Sequence, residues 1–194
     1  MVRRERSIDA DWFEDLYREH GDPWDFETSG YEQAKYAHTL DAMPGERLGD
    51  VLEVGCANGV LTERLAPRCE RLLAVDVSET ALAAARKRLG IYAHVRLERR
   101  SLPAEAPDGP FDLVLMSEVL YYWDGDDVAR FARWVPGAIP QDGHMLLVHW
   151  TGDTDYPKSG DEAVDELRGL LGDRFLVARQ ERRERYRLDL WRRA

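Results

Sequence analysis

Residues 50–62 constrain the fold of this chain more than any other part of its sequence. The run at 51–54 is largely apolar, which is typical of a strand buried on both faces of a parallel sheet. Residues 55–59 form a tight turn of small residues, after which Leu61 and Leu65 are spaced as on one face of a helix. A strand, a glycine turn and a helix start present backbone N–H groups that suit the polar end of a nucleotide-like ligand.

A carboxylate follows the next apolar run along the chain. Residues 71–76 predict a second buried strand, and this strand ends in Asp76. Asp76 lies about 20 residues beyond the glycine turn, the spacing at which an acidic side chain accepts the hydroxyls of a bound ribose. The turn and the acid together therefore indicate a nucleoside-binding site.

Strands and helices alternate from residue 50 onward, which predicts an α/β fold with a doubly wound, mainly parallel, seven-stranded sheet. Two further helices, near residues 9–20 and 30–40, precede the first strand. We expect one domain over residues 1–194, with an N-terminal helical lid at 1–45 and a Rossmann-like core at 46–194. The predicted strands are 50–55, 71–76, 92–97, 111–116, 145–150, 175–179 and 186–191, the last antiparallel and partly exposed.

The composition is that of a globular domain, with 44% hydrophobic and 33% charged residues. The net charge of −10 argues against nucleic acid as a partner, and no apolar run reaches the roughly 20 residues of a membrane span. The arginine-rich segment 179–193 also carries acidic residues, so we expect a solvated face there. With no signal peptide visible at the N-terminus and only two cysteines, we expect a cytoplasmic protein.

Two classes of ligand compete for the predicted nucleoside site. Dinucleotide sites carry G-x-G-x-x-G, and the third spaced glycine is missing here. The turn, preceded by Glu53, resembles instead the E-x-G-x-G-x-G signature of class I S-adenosylmethionine-dependent methyltransferases, with Ala57 replacing the middle glycine. This resemblance implies that the turn meets the methionine part of the cofactor and that Asp76 holds the ribose. It also implies that Glu53 supports the turn and reaches the cofactor's amino group through water.

Within that class, the chain resembles the nodulation protein S family of N-methyltransferases over about residues 22–151. The resemblance is carried by the segments 22–24, 31–35, 51–56, 59–62, 73–78 and the fourth strand through Trp123. Members of this family methylate the free amine of a deacetylated chitooligosaccharide. The resemblance implies S-adenosylmethionine as cofactor and a small-molecule acceptor, with the amine of an amino sugar favoured.

The same resemblance implies a set of cofactor-binding residues. Tyr31 and Lys35 have core packing as their alternative interpretation. The family usually places an acidic residue near the adenine, whereas this chain has Ser101, so adenine recognition would depend on backbone groups and Leu102. The predicted cofactor-binding residues are Trp24, Tyr31, Lys35, Glu53, Gly55, Cys56, Ala57, Gly59, Asp76, Val77, Ser101, Leu102 and Ser117.

Two residues at strand ends are candidates for proton transfer. Glu118 follows the fourth predicted strand beside an aromatic run, and His149 lies near the end of the fifth, with a free pKa close to neutrality. The alternatives are that Glu118 caps a helix and that His149 is a satisfied polar group. The predicted substrate-binding residues are Tyr121, Tyr122, Trp150 and Tyr156. The five histidines show no metal-binding spacing.

The sequence leaves several functions open. Oxygen methylation of a sugar or an acid is the nearest alternative to methylation of an amine. A nicotinamide-dependent oxidoreductase and a cofactor-binding protein without catalytic activity belong to different classes. The oligomeric state is not determined by these patterns.

Overall fold

A computed structural model describes residues 3–194, which divide into two compact units. The first unit is Asp9–Ser101, and the second comprises the described residues up to Ile8 together with Leu102–Ala194. The strands of the described residues form a seven-stranded mixed sheet, which confirms the predicted α/β class. The α-helices are α1 Ala10–His20, α2 Gly30–Asp41, α3 Val60–Leu65, α4 Glu79–Leu89, α5 Gly125–Ala138 and α6 Gly160–Leu171. The strands are β1 Leu48–Val54, β2 Cys69–Asp76, β3 Val95–Arg99, β4 Leu113–Ser117, β5 His144–Trp150, β6 Phe175–Arg182 and β7 Tyr186–Arg193.

The first unit is built on three parallel strands in the order β3-β2-β1. Val54 pairs with Val75, so β1 and β2 end at the same level. Helix α4 begins at the N-cap Ser78, whose Oγ accepts a hydrogen bond from the Ala81 N–H at 3.1 Å. The carboxyl ends of the parallel strands and the start of α4 therefore lie together, where an α/β sheet binds its ligands.

Helices α1 and α2 belong to the first unit, and polar contacts hold α2 in place. The Gln33 side chain donates to the Phe26 carbonyl at 2.8 Å, and Arg68 donates to the Leu40 carbonyl at 2.7 Å. Asp9 and Ser29 cap the two helices through their side chains. Whether residues 1–45 act as a lid stays a prediction, and its first two residues lie outside the described range.

The second unit carries four strands in the order β4-β5-β7-β6. Strands β4 and β5 are parallel, and β7 is antiparallel to both β5 and β6, which confirms the predicted reversal of the last strand. Leu113–Met116 and Met145–Val148 are fully buried, as expected of central strands. These strands form the apolar centre of the second unit.

The prediction of a partly exposed last strand and a solvated charged segment is wrong for β7. Because β7 lies between β5 and β6 rather than at an edge, its residues Tyr186–Trp191 are buried. Arg187 and Asp189 form a buried pair, with Nε and Oδ2 2.8 Å apart, and Arg187 also contacts Asp161 at 3.0 Å. The attraction between the paired charges offsets the free-energy cost of removing them from water.

Two strands, β3 and β4, begin later than predicted because the apolar residues before them form turns. The Tyr92 N–H donates to Leu89 and the Val95 N–H donates to Tyr92, so β3 begins at Val95 rather than at residue 92. The Phe111 N–H donates to the Ala138 carbonyl at 2.7 Å, and β4 begins two residues later. Apolar character alone does not distinguish a strand residue from a buried turn residue.

We expect Gly160→Ala to destabilise the protein by about 1–3 kcal/mol, because overpacking forces the backbone to move. An added Cβ at Gly160 would lie 2.1 Å from the Trp150 carbonyl oxygen. Gly169, on the same helix α6, has open space around it. Gly169→Ala should therefore be neutral or stabilise by up to about 1 kcal/mol. Urea unfolding of both variants measures the difference, and equal free energies of unfolding would contradict the close approach of α6 to β5.

Candidate functional site

The glycine turn has a backbone that strongly restricts its side chains. Gly55, Ala57 and Gly59 have φ angles of 76°, 52° and 81°, all in the left-handed region. The N–H groups of Gly55 and Cys56 both donate to the Val75 carbonyl, at 2.8 and 3.0 Å. Ala57 replaces a signature glycine while keeping its conformation, at a cost of about 1–2 kcal/mol. The turn is therefore fastened to the end of β2 despite the strain.

Gly59 is required by its left-handed φ and by the packing of helix α4, and its contact with a cofactor stays a prediction. An added Cβ would lie 3.0 Å from the Cβ of Ala85 on α4. The turn is also held by Arg88, whose Nε donates to the Asn58 carbonyl at 3.1 Å. Helix α4 thus supports the turn from behind through both packing and a hydrogen bond.

Asp76 lies at the end of β2 and joins the turn to α4. Its Oδ2 accepts a hydrogen bond from the Ala57 N–H at 2.8 Å, and its Oδ1 accepts one from the Ser78 N–H at 2.9 Å. Burial raises the pKa of this carboxyl, and these hydrogen bonds act in the opposite direction. A carboxylate has about four lone-pair positions, so Asp76 can accept further donors.

Glu53 is the second acidic residue beside the turn, and it differs chemically from Asp76. The side chain is 2% exposed, and burial raises its pKa to about 8. The charge of Asp76 adds to that shift. Glu53 is therefore a neutral acid at pH 7. Its predicted contact with a cofactor amino group through water stays a prediction.

The cysteine of the turn behaves as a small apolar residue. Cys56 is 3% exposed and packs with Ala74 and Leu82 in an apolar cluster. Burial raises the pKa of its thiol well above the ordinary value, which makes a thiolate unavailable. Both cysteines of the chain, Cys56 and Cys69, are free and buried.

Three predicted cofactor residues near the N-terminus are packed among their neighbours: Trp24, between α1 and α2, and Tyr31 and Lys35 on α2. The Lys35 Nζ lies 2.9 Å from Glu32 Oε1 and 5.2 Å from the centre of the Tyr31 ring, and Lys35 is 2% exposed. The half-buried Trp24 stacks on Phe26 with ring centroids 5.5 Å apart. These contacts favour the packing interpretation for Lys35, and its contact with a cofactor stays a prediction.

The remaining predicted cofactor residues lie at strand ends in both units. Val77 is half-buried at the end of β2, and its carbonyl accepts a hydrogen bond from Arg99 Nε at 2.9 Å. Ser101 is exposed at the end of the first unit, Leu102 is 7% exposed at the start of the second, and Ser117 ends β4. Their contacts with a ligand remain predictions.

Sequence reasoning missed Glu14, which lies on α1 and contacts the start of α4. Glu14 Oε2 accepts hydrogen bonds from Ser78 Oγ at 2.7 Å and from the Thr80 N–H at 3.1 Å. Glu14 Oε1 accepts a hydrogen bond from Thr80 Oγ1 at 2.7 Å. These bonds lower the pKa of Glu14 to about 2. A charged residue among the apolar positions of α1 is the signal that could have identified it.

In the second unit, Glu118 follows β4 in an unusual conformation. Its φ of 60° is left-handed, and its N–H donates to the Val148 carbonyl at 2.8 Å. The carboxylate oxygen Oε2 accepts hydrogen bonds from the Tyr121 hydroxyl at 2.6 Å and from the Trp150 N–H at 2.8 Å. These two contacts hold the side chain across the ends of β4 and β5, rather than at a helix N-terminus.

Three of the predicted substrate-binding residues form one aromatic cluster in the second unit. Tyr121 and Tyr156 stack with ring centroids 5.3 Å apart, and Tyr122 contacts both rings edge-on, at 4.7 and 4.6 Å. Burial raises the pKa of all three hydroxyls, so they stay neutral. The fourth predicted residue, Trp150, is half-buried. Its backbone N–H donates to Glu118, which also accepts from the Tyr121 hydroxyl.

His149 is fully buried beneath this cluster. Its Nε2 lies 3.1 Å from the Leu120 N–H nitrogen and 3.4 Å from that of Val119, and accepts from both. The hydrogen-bond network therefore assigns the proton of the neutral ring to Nδ1. Through Nε2, this geometry lets His149 position the segment after β4. Its predicted role in proton transfer stays a prediction.

No helix within residues 3–194 is long and apolar enough to cross a membrane. No group of three or more histidine, cysteine, aspartate or glutamate side chains in the same range could hold a metal ion.

Comparison with known proteins identifies one family. Residues 13–135 match the family model for nodulation protein S (NodS). Nodulation protein S of Bradyrhizobium diazoefficiens is 43% identical over 104 residues, which is 52% of this chain and 49% of that protein. Nodulation protein S of Sinorhizobium fredii is 33% identical over 130 residues, or 65% of this chain and 59% of that protein. The chain thus spans about half the length of the curated relatives it matches.

A solved structure matches over nearly the whole chain. It is the crystal structure of N-methyltransferase NodS from Bradyrhizobium japonicum WM9 in complex with S-adenosyl-l-homocysteine. The match has a TM-score of 0.83 and 21% identity, and it covers 96% of this chain and 99% of that chain. At this identity the likeness shows the fold, which agrees with the seven-stranded sheet described above.

We expect Glu53→Gln to change how stability depends on pH. The folded protein keeps the Glu53 proton up to about pH 8, whereas an ordinary glutamate releases it near 4.5, so the wild type loses stability as the pH rises between these values. The loss is at most about 1.4 kcal/mol per pH unit. The amide variant lacks this loss, and its stability relative to wild type should rise from pH 5 to pH 8.

Urea unfolding at several pH values measures this difference. Glu70→Gln is the matched control, because Glu70 is an exposed residue of the neighbouring strand β2. Its stability difference from wild type should show no such rise. A flat difference for Glu53→Gln would mean that Glu53 is ionised in the folded protein at neutral pH.

Proposed function

This chain belongs to the nodulation protein S family, and from that premise we propose that it is an S-adenosylmethionine-dependent N-methyltransferase with a small-molecule acceptor. We further propose that the acceptor group is the amine of an amino sugar. The observation that carries the proposal is the Asp76 carboxylate at the end of β2, bonded to the Ala57 N–H of the glycine turn.

The residues around the turn fit the ribose end of such a cofactor. Asp76 is held in place by the N–H groups of Ala57 and Ser78, and it keeps acceptor capacity for the two hydroxyls of a ribose. Gly55 is exposed, and its lack of a side chain leaves the backbone of the turn accessible. We propose that Asp76 binds the ribose and that the turn meets the amino-acid part of the cofactor.

The second unit carries the groups that would handle the acceptor. The bound cofactor supplies a methyl group on a positively charged sulfur, which an uncharged amine can attack. An amine that is protonated at neutral pH must first lose a proton, and we propose that Glu118 accepts it. The Tyr121 hydroxyl and the Trp150 N–H orient the Glu118 carboxylate. His149, whose Nε2 accepts from two backbone N–H groups, has a positioning role in this proposal.

The aromatic cluster supports a sugar as the acceptor. The apolar faces of sugar rings pack on aromatic side chains, whose polar tips supply hydrogen bonds at the same time. Tyr156 and Trp150 are half-buried, while Tyr121 and Tyr122 are buried. We propose that Tyr156 and Trp150 contact the acceptor and that the other two tyrosines support them. We also propose a cytoplasmic location, in keeping with two free thiols.

The cofactor assignment predicts selective binding of S-adenosylhomocysteine. Calorimetry with the purified protein should show binding of this compound and no binding of NAD. Asp76→Asn should weaken binding at least tenfold, because it removes a charged acceptor for the ribose hydroxyls. Asp112→Asn, an exposed position, is the control and should bind as the wild type does. Unchanged affinity in a folded Asp76→Asn protein would contradict the ribose assignment, and binding of NAD alone would contradict the methyltransferase proposal.

The acceptor assignment predicts methylation of a free amine only. With labelled S-adenosylmethionine, a chitooligosaccharide carrying one free amine should be methylated, and its fully acetylated form should not. Label on the acetylated sugar would instead indicate methylation of a hydroxyl. A screen of other small amines and hydroxyl compounds distinguishes an acceptor of another class from the absence of transferase activity.

The proposed proton acceptor is tested by Glu118→Gln. This change keeps the size of the side chain but removes its basicity, and we expect kcat to fall about 10²-fold or more with little change in cofactor affinity. The control is Glu184→Gln, an exposed residue between β6 and β7. If Glu118→Gln turned over at the wild-type rate, Glu118 would not be the base.

A further inference from the structure

We propose that Glu14 on α1 is a positioning residue for cofactor binding, which holds Asp76 in place through Ser78. The inference rests on the proposed role of Asp76 in binding the ribose. It gives the N-terminal helix α1 a role in cofactor binding, through the carboxylate of Glu14.

The contacts of Glu14 are numerous and short. Its two carboxylate oxygens accept hydrogen bonds from Ser78 Oγ at 2.7 Å, from the Thr80 N–H at 3.1 Å and from Thr80 Oγ1 at 2.7 Å. Glu14 is 8% exposed, so water competes little for these donors. The exposed Arg18, one turn later on α1, forms an ion pair with Glu14, with Nε and Oε1 3.2 Å apart. A buried carboxylate with three donors on one neighbouring segment is held in a single orientation.

Ser78 transmits this constraint to Asp76. Its hydroxyl donates to Glu14 and accepts from the Ala81 N–H at 3.1 Å, while its own N–H donates to Asp76 Oδ1 at 2.9 Å. Ser78 is fully buried. Asp76 in turn accepts from the Ala57 N–H at 2.8 Å. An unbroken series of hydrogen bonds therefore runs from α1 through the start of α4 to the glycine turn.

The charges at the start of α4 explain why this arrangement needs a carboxylate. The first turn of a helix carries N–H groups without intrahelical partners and a partial positive charge, which favour an anion. Glu14 supplies that anion from another helix, and its low pKa keeps it ionised at neutral pH. The negative charge of Glu14 also raises the pKa of Asp76, so the two carboxylates are coupled. A neutral side chain at position 14 would remove the anion that Ser78 and Thr80 contact.

The test is Glu14→Gln, which keeps the length of the side chain but removes its charge and two of its lone-pair positions. We expect the Kd for S-adenosylhomocysteine to rise about tenfold, with kcat at saturating cofactor and the KM for the acceptor unchanged within about twofold. Asp11→Asn is the control, because Asp11 is an exposed residue of the same helix. It should leave all three quantities unchanged.

Thr80→Val provides a second, milder variant. It removes the hydroxyl that donates to Glu14 Oε1 and keeps the β-branched shape and the backbone N–H. We expect the Kd to rise about threefold. In the double variant with Glu14→Gln, the combined increase should be smaller than the product of the single effects, because both changes break one contact. If Glu14→Gln does not fold, the Kd of Thr80→Val alone tests the positioning role of Glu14.

Amide hydrogen exchange in the cofactor-free protein separates this inference from the proposed function. Glu14→Gln should increase exchange at the Ala57 and Ser78 N–H groups, and Asp11→Asn should not. Wild-type protein that binds no S-adenosylhomocysteine would refute the proposed function, while unchanged exchange would refute the positioning role. A lower Tm with unchanged Kd and unchanged exchange at Ala57 would show Glu14 to be merely structural, and would overturn the proposal.

Discussion

The two hydrogen bonds accepted by Asp76 are the constraint on which the first unit depends. One comes from the Ala57 N–H of the glycine turn and the other from the Ser78 N–H at the start of α4. A buried carboxylate is costly to desolvate unless donors surround it, and here the backbone provides them. Removing the carboxylate would leave two buried N–H groups without an acceptor. The conformations of the turn, of Asp76 and of the helix start are therefore mutually dependent.

The second unit uses the same chemistry at another strand end. The Glu118 carboxylate accepts the Trp150 N–H and the Tyr121 hydroxyl, while His149 accepts N–H groups of the segment that follows Glu118. The left-handed φ of Glu118 is a strained conformation that these contacts stabilise. Each unit thus holds an acidic side chain at the carboxyl end of a parallel strand by bonding it to main-chain N–H groups. Such side chains are oriented before any ligand arrives.

Features that depend on residues close together in the chain could be predicted from the sequence, whereas features that depend on distant residues could not. The glycine turn and Asp76 were identified because each depends on residues close to it in the chain. The exposure predicted for β7 was wrong, since strand order and not local pattern decides which strand lies at an edge. Glu14 was missed because its donors, Ser78 and Thr80, are more than 60 residues away in sequence.

The sequence by itself determined the α/β class, the glycine turn with its spaced acid, and the resemblance to the nodulation protein S family, because these follow from local periodicity and short motifs. Tertiary structure alone decided which polar groups are buried together. Tertiary contacts bring Glu14 of α1 against the start of α4, and burial keeps Glu53 neutral. They also let His149 Nε2 accept a backbone N–H. Desolvation and hydrogen bonding depend on what surrounds a side chain in space, and segments far apart in the chain supply those surroundings.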